Sequence, residues 1–348
     1  MAEETNKNQI VPLKNNSLAK VSSTLALTDK LLQEIENRNT LPSNDFRVSI
    51  PDINFQKYLT YTFGIVITDN TVAYGDIKHI ERIDCTYHCD IIHDDSIPDG
   101  YYSMLEENNT IKSLEGIQYF IALIELDCLG NQITDLDITQ NTALTWLSCN
   151  YNQLTDLDIS QNTALTYLNC DHNNITNLDV SQNTALTYLD CKNNQITHLD
   201  LSQNTALTNL YCGENQITDL DITQNTALTH LSCDENQITE LDVSQNTALT
   251  YLNCKDNQLT DLDVSQNTML TSLNCGNNQI KDLDVSQNTE LNALVCLNNQ
   301  LTDLDVSQNT ALNALFCEKN QLTELDVSKN TALYQLLTLA DKNVKIHR

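Results

Sequence analysis

The chain is predicted to be a repeat solenoid, mainly β, and three observations carry that prediction. A 21-residue unit recurs ten times without a gap from Leu123 to Ala332. Within each unit apolar and polar residues alternate over short runs, the period of a half-buried strand. Cysteine returns at one fixed slot, from Cys128 to Cys317, while other positions of the same unit vary.

The first unit reads LIELDCLGNQITDLDITQNTA from Leu123, and the second LTWLSCNYNQLTDLDISQNTA from Leu144. The shared pattern, LxxLxCxxNQITDLDVSQNTA, matches the template LxxLxLxxNxL with cysteine in the third apolar slot, so a leucine-rich-repeat right-handed superhelix is expected. Each unit also has two halves. Leu126, Cys128 and Asn131 share their spacing with Leu136, Ile138 and Asn141. A short strand in each half is therefore expected, which puts short strands on both sides of a narrow coil with no room for a full helix. Asn131 and Asn141 follow these strands, where a buried amide can pair backbone groups that a turn would orphan. Stacking ten units at about 4.8 Å gives a parallel sheet on the order of 50 Å long.

Twelve cysteines in a small secreted protein would suggest a disulfide framework. Here the alternation turns each ladder cysteine toward the core. Parallel neighbours at about 4.8 Å stand beyond the usual ~3.5–4.5 Å between disulfide Cβ atoms. The ten are expected to be reduced and buried, acting as small hydrophobes. No cofactor and no metal site is expected from them.

The flanking segments follow in order. Residues 1–45 form a polar segment in which Leu18, Val21, Leu25, Leu32 and Ile35 have the spacing of one amphipathic helix. Residues 46–79 are expected to be a small, largely helical N-terminal cap over the open apolar end of the stack. Residues 80–122 hold the first degenerate coil or coils, with Ile80–Cys85 as a strand and an insertion after it. Tyr101, Met104 and Glu106 stand 21 residues beyond Ile80, Ile83 and Cys85, so residues 86–108 read equally as a degenerate repeat or an inserted loop. Cys85, His88, Cys89 and His93 cluster there and raise a zinc hypothesis. Cys85 already belongs to the buried ladder, and an ordinary loop is the preferred reading. Residues 333–348 are expected to be a truncated terminal repeat.

Composition narrows the function. With 47 acidic against 18 basic residues, the formal charge is -29, which disfavours nucleic acid and anionic membranes as partners. No apolar run is long enough to span a bilayer. The first residues are acidic and lack an apolar segment, so no secretory signal is expected; the location is cytoplasmic by default, with export lacking a standard signal as the alternative. None of the nucleotide-loop, serine-elbow or zinc-helix motifs occurs, and the repeat histidines fall on outward, variable positions. The chain is not expected to be an enzyme.

Outward positions carry what remains. One column, Asp137 through Asp326, is aspartate in all ten units and reads as a solvated stripe, with a calcium ladder as the alternative. On the first strand the outward positions vary while the framework repeats. Trp146, Tyr167, Tyr188, Tyr211, His230 and Tyr251 come from six successive units and are the candidate partner-binding residues. The leading expectation is a module that binds a protein partner on the concave first-strand face. Carbohydrate binding by the same aromatics is the first alternative. A rigid spacer that docks through the N-terminal segment is the second. The oligomeric state stays open.

A 21-residue repeat with cysteine in this slot resembles the internalin-type bacterial leucine-rich repeats, especially those with stacked cysteines. IPDINFQKYL at Ile50–Leu59 looks like the start of that family's cap, IERIDC at Ile80–Cys85 looks like its first strand, and SLEGIQYFIALIELDC leads into the full repeats. The resemblance covers about 300 residues. It implies protein recognition, often at a host or cell surface.

Overall fold

The computed structural model describes residues 41–86, 110–337 and 344–348. The chain divides into two units, Met1–Phe46 and Arg47–Arg348. Of the first, the described part is a turn closed by the Phe46 N–H on the Ser43 carbonyl at 2.9 Å. The helix expected through Leu18–Ile35 lies outside the described residues. So do His88, Cys89 and His93, and Tyr101, Met104 and Glu106.

The second unit opens with a mixed cap. Strand β1 (Arg47–Ser49) pairs antiparallel with β2 (Thr71–Ala73), and helices α1 (Ile53–Phe63) and α2 (Tyr74–Ile77) flank that pair. The cap thus combines the expected helices with a short strand pair. Val48 and Val72 are each buried between two more exposed neighbours, a period of two that a helix would scatter around its surface. Asp52 caps α1: its Oδ1 accepts the N–H groups of Asn54 and Phe55 at 2.8 and 3.0 Å. Its Oδ2 accepts those of Lys112 and Ser113 at 2.7 and 3.2 Å, tying the cap to the chain that enters the repeats. Phe55 and Leu59 are buried from α1, and the Phe55 ring meets Phe120 at 6.2 Å. Gly116, at φ 99°, lies where a Cβ would come within 2.5 Å of the Ser49 carbonyl oxygen, so the approach of this turn to β1 requires glycine.

Then the stack begins. β3 (Arg82–Asp84) is followed by β4 (Glu125–Asp127), β5 (Trp146–Ser148), β6 (Tyr167–Asn169), β7 (Tyr188–Asp190), β8 (Asn209–Tyr211), β9 (His230–Ser232), β10 (Tyr251–Asn253), β11 (Ser272–Asn274), β12 (Ala293–Val295) and β13 (Ala314–Phe316). With β15 (Gln335–Leu337) they form one 12-stranded parallel sheet, in register by 21 residues from β4 to β15. The central leucine of each strand from β4 to β13 is buried, and so is the cysteine that follows it. All eleven described cysteines are free and buried. Burial in apolar surroundings pushes the thiols of Cys128, Cys170, Cys212, Cys254 and Cys296 well above the ordinary range, with neighbouring ladder thiols adding to it. Cys85 extends the ladder into β3's coil. No helix among the described residues is long and apolar enough to cross a membrane.

The second half of the coil corrects the expectation of strands on both sides. A ladder forms there only between β14 (Glu324–Asp326) and β16 (Lys345–His347), among the described residues. Side chains bond the backbone throughout this half, β14 included. The aspartate of LD[IV][ST] accepts the N–H two residues on, as Asp242 does from Ser244 at 2.8 Å. The next carbonyl accepts from asparagine: Ile138 receives Asn162 Nδ2 at 3.0 Å and the Asn141 N–H at 3.0 Å. Residues 333–348 do more than a fragment would, because they supply rungs to both halves, β15 and β16.

The two asparagine columns differ. Asn152 is fully used: Nδ2 reaches the Cys128 and Cys149 carbonyls at 2.9 and 3.1 Å, and Oδ1 accepts the Ile133 N–H at 3.0 Å. In the Asn141 column the amide nitrogen bridges two coils, while Oδ1 is buried and makes no hydrogen bond from Asn141 to Asn330. The residue before the first asparagine has left-handed backbone in every coil. Gly130 fills it once, and Tyr151, His172, Asn193, Glu214, Glu235, Asp256, Asn277, Asn298 and Lys319 fill it afterwards at φ 50–58°. That conformation costs about 1 kcal/mol per non-glycine residue, and a bond to the next coil accompanies it, as from the Tyr151 N–H to the Asp171 carbonyl at 3.0 Å.

Candidate binding surface

Because the strands stack in register, each outward position becomes a column. Trp146, Tyr167, Tyr188, His230 and Tyr251 share one column with Asn209 between them. Tyr211 belongs to the next, opposite Asp190 and Ser232. The structure brings four of the six candidates into one run. Trp146 stacks on Tyr167 with ring centroids 3.4 Å apart, Tyr167 on Tyr188 at 4.5 Å, and Tyr211 leans on Tyr188 at 5.5 Å with the planes tilted by 44°. His230 and Tyr251 form a second, looser pair at 6.1 Å. Trp146 is 39% exposed and the other five are half-buried. Burial raises the phenols of Tyr167, Tyr188 and Tyr251, and the Asp190 charge adds to the shift at Tyr167 and Tyr188.

Reading the aromatics alone misses what lies beside them. The column after the cysteines carries Asp171, Lys192, Asp234 and Lys255, and the left-handed column carries Tyr151, His172, Glu214 and Glu235. Tyr151, 51% exposed, stacks on His172 at 4.0 Å. His172 Nδ1 meets Asp171 Oδ2 at 2.7 Å. Buried Asp234 receives the Ser232 hydroxyl at 2.6 Å, and Gly213 leaves it room, since a Cβ there would stand 2.6 Å from its Oδ1. Glu214, Asp234 and Glu235 place carboxylate oxygens within 4.8 Å of one another, a donor set that could hold a cation. Lys192 already brings its ammonium to Glu214 and Asp234, at 3.0 and 3.7 Å. The signal for this polar strip was the same 21-residue spacing, read at positions that carry no aromatic majority.

The aspartate column of the second half is exposed but not merely solvated. From Asp158 to Asp284, and again at Asp326, the hydroxyl and N–H of the serine or threonine two residues on hold carboxyls below the usual range. This column shapes turns.

Stacked parallel rungs, a buried cysteine column and a small capping subdomain define a leucine-rich-repeat solenoid of the cysteine-ladder type, a class of interaction module. The chain belongs to the internalin family. It is 37% identical to the functional domain of InlJ from Listeria monocytogenes, which includes a cysteine ladder, over 88% of this chain and 68% of that one, with a TM-score of 0.69. An internalin, InlF, from the same species matches at 24% identity over 87% of this chain and 94% of that one, with a TM-score of 0.66. A leucine-rich-repeat protein of Leptospira interrogans matches at 27% identity over 69% and 66% of the two chains, with a TM-score of 0.63. No protein-family profile and no curated protein sequence matches.

Proposed function

We propose that the chain binds a protein partner through the outward face of the 12-stranded sheet, centred on Trp146, Tyr167, Tyr188 and Tyr211. The observation that carries this reading is the contrast between columns. The buried leucine and cysteine columns repeat without change from coil to coil, whereas the two outward columns hold a different side chain at almost every rung. A uniform surface cannot encode a register along a partner, and a varied one on a rigid frame can. Half-buried aromatics contribute large contact area with few rotamers to freeze.

The ring arrangement favours protein over carbohydrate. Sugars stack on open aromatic faces. Here Trp146, Tyr167 and Tyr188 turn faces toward one another along the stack, at 3.4 and 4.5 Å. Ring faces within the run are thereby taken up by neighbouring rings.

The stacking also sets the test. Tyr188→Ala removes a ring that supports two others, so it should lower stability by about 1 kcal/mol as well as affinity. Tyr167→Phe with Tyr188→Phe keeps the stack and removes only the hydroxyls. For a partner identified by pull-down, the double Phe variant should melt like the parent and bind several-fold more weakly. Unchanged affinity in both that variant and a Tyr167, Tyr188, Tyr251 triple alanine variant would remove the proposal.

A further inference from the structure

On a strongly acidic chain the outward face of the sheet is nearly free of charge. From β5 to β13 its two outward columns hold eighteen side chains; one of them, Asp190, is an acid and none is a lysine or arginine, against 19% charged residues in the whole chain. The second half of the coil carries an aspartate column over the same coils. Depletion of charge is what sets the core of a protein interface apart from ordinary surface. The face also changes along its length. Its first outward column begins with Trp146, Tyr167 and Tyr188 and ends with Ser272, Ala293 and Ala314. Large rings stand at one end and small side chains at the other.

Two such gradients fit each other when one copy is turned end for end. A half-turn about the strand direction at β9 lays the face on its own copy, keeps each column over itself and reverses the order of the rungs. Trp146 then faces Ala314, Tyr167 faces Ala293, Tyr188 faces Ser272, and Tyr251 faces Asn209. In the second column Tyr211 faces Asn253 and Phe316 faces Ser148, while Asp190 faces Asn274, whose amide can donate to it. No ring falls on a ring, and His230 lies on the axis. Sliding the copy by one rung either way sets Tyr251 on Tyr188 or on His230. At the rim Asp234 faces its own copy, and Lys192 at 3.7 Å already balances it. Nine rungs at about 4.8 Å and six extended residues at about 3.3 Å give a face of about 43 by 20 Å, on the order of 800 Å² from each copy, which is one partner's share of a standard interface.

We infer that the strand face receives a second copy of this chain, as a two-fold dimer with its axis at β9. This names the partner for the surface proposed above and rests on that surface being the binding face. At a formal charge of -29 two copies repel elsewhere, and this face is where they approach with least opposition. Salt should therefore tighten the dimer, whereas it loosens a complex held by opposite charges.

Sedimentation equilibrium of the full chain at physiological ionic strength is expected to show a dimer that tightens as sodium chloride is raised. His230→Cys places a thiol on the axis, and a bis-maleimide reaching about 10 Å, the spacing of packed sheets, should join most chains in pairs. Ser272→Cys stands four rungs, about 19 Å, from its mate along the stack and should give only the background of the parent. Ala293→Glu sets a charge against Tyr167 of the other copy and should weaken dimerisation at least about tenfold. Thr247→Glu adds the same charge at an exposed position of the second half and should leave it within about twofold. Equal losses from the two glutamate variants, or cross-linking through Ser272→Cys that matches His230→Cys, would overturn the dimer. A monomer at all concentrations overturns it too. If a pull-down partner then shields the His230→Cys thiol from labelling, the face binds a different protein and only the second copy is wrong. If a dimer or a complex forms and that thiol labels as freely as in the monomer, the strand face itself is wrong.

Discussion

Asp190 shows what a single half-buried carboxylate can cost. Its carboxyl is raised to about 6 by burial first. For an acid with a raised folded pKa, the native state holds a proton that the unfolded chain has released. Between the unfolded value near 4 and about 6, stability therefore falls as pH rises, and the loss is complete above that window. Asp190→Asn should raise stability at pH 7.5 by roughly 1–2 kcal/mol, and the gain should vanish near pH 4. Melting temperature followed across that range tests it. A gain independent of pH would point to a packing change. The same residue scale explains the left-handed column. Its members share a backbone shape and no single side-chain chemistry, and from Gly130 to Asn298 each N–H bonds to the next coil.

At the scale of the element, each coil is asymmetric: the first half carries the 12-stranded ladder, and the second half carries one only at β14 and β16 among the described residues. Aspartate and asparagine bond the backbone in both halves, as Asp190 accepts the Lys192 N–H and Asp242 that of Ser244. The aspartate column contributes stability above the ordinary carboxylate range, and that contribution is lost as pH falls through the depressed folded values, below about 4. Asp242→Ala should lower stability at neutral pH by about 0.5 kcal/mol, the low end for an exposed hydrogen bond. Asp242→Asn, which keeps an accepting oxygen, should retain most of it. Thermal melts of the two variants separate a turn role from a charge role. If alanine and asparagine melt alike, the turn role fails.

Across the whole second unit, one apolar core runs from Val48 in the cap to Val327. Each coil buries its leucines only against its neighbours, so no coil is stable alone and opening must be cooperative over several. Thiol labelling reads that directly, since every described cysteine is buried and burial disfavours thiolates such as that of Cys212. Native labelling of the ladder should be slow, with modification of the central cysteines following unfolding. Cys212→Ser should destabilise by roughly 1–3 kcal/mol by placing a hydroxyl where the thiol is fully buried. Fast labelling of most thiols in native conditions would contradict the single core.

The period of 21, the inward leucines and cysteines and the ten coils were legible in the sequence because burial and pleat act on neighbouring residues and leave their period in the chain. The six outward candidates were legible for the same reason: the positions between inward ones must face out. Strands in the second half form only at β14 and β16 among the described residues, and the cap adds the β1–β2 pair to its helices. Tertiary structure alone decided what the outward residues do together. Tyr188 and Tyr211 belong to different columns, yet their rings meet. Asp171 and Asp190 are 19 residues apart in sequence, and only stacking sets one acid's charge beside the other. Whether Lys192 would turn to Glu214 and Asp234 rather than to Asp190, two residues away, depends on distances across the coils. Periodicity along a chain specifies which face a residue occupies. The partner it meets there is set by the neighbouring rungs, through contacts that no local pattern records.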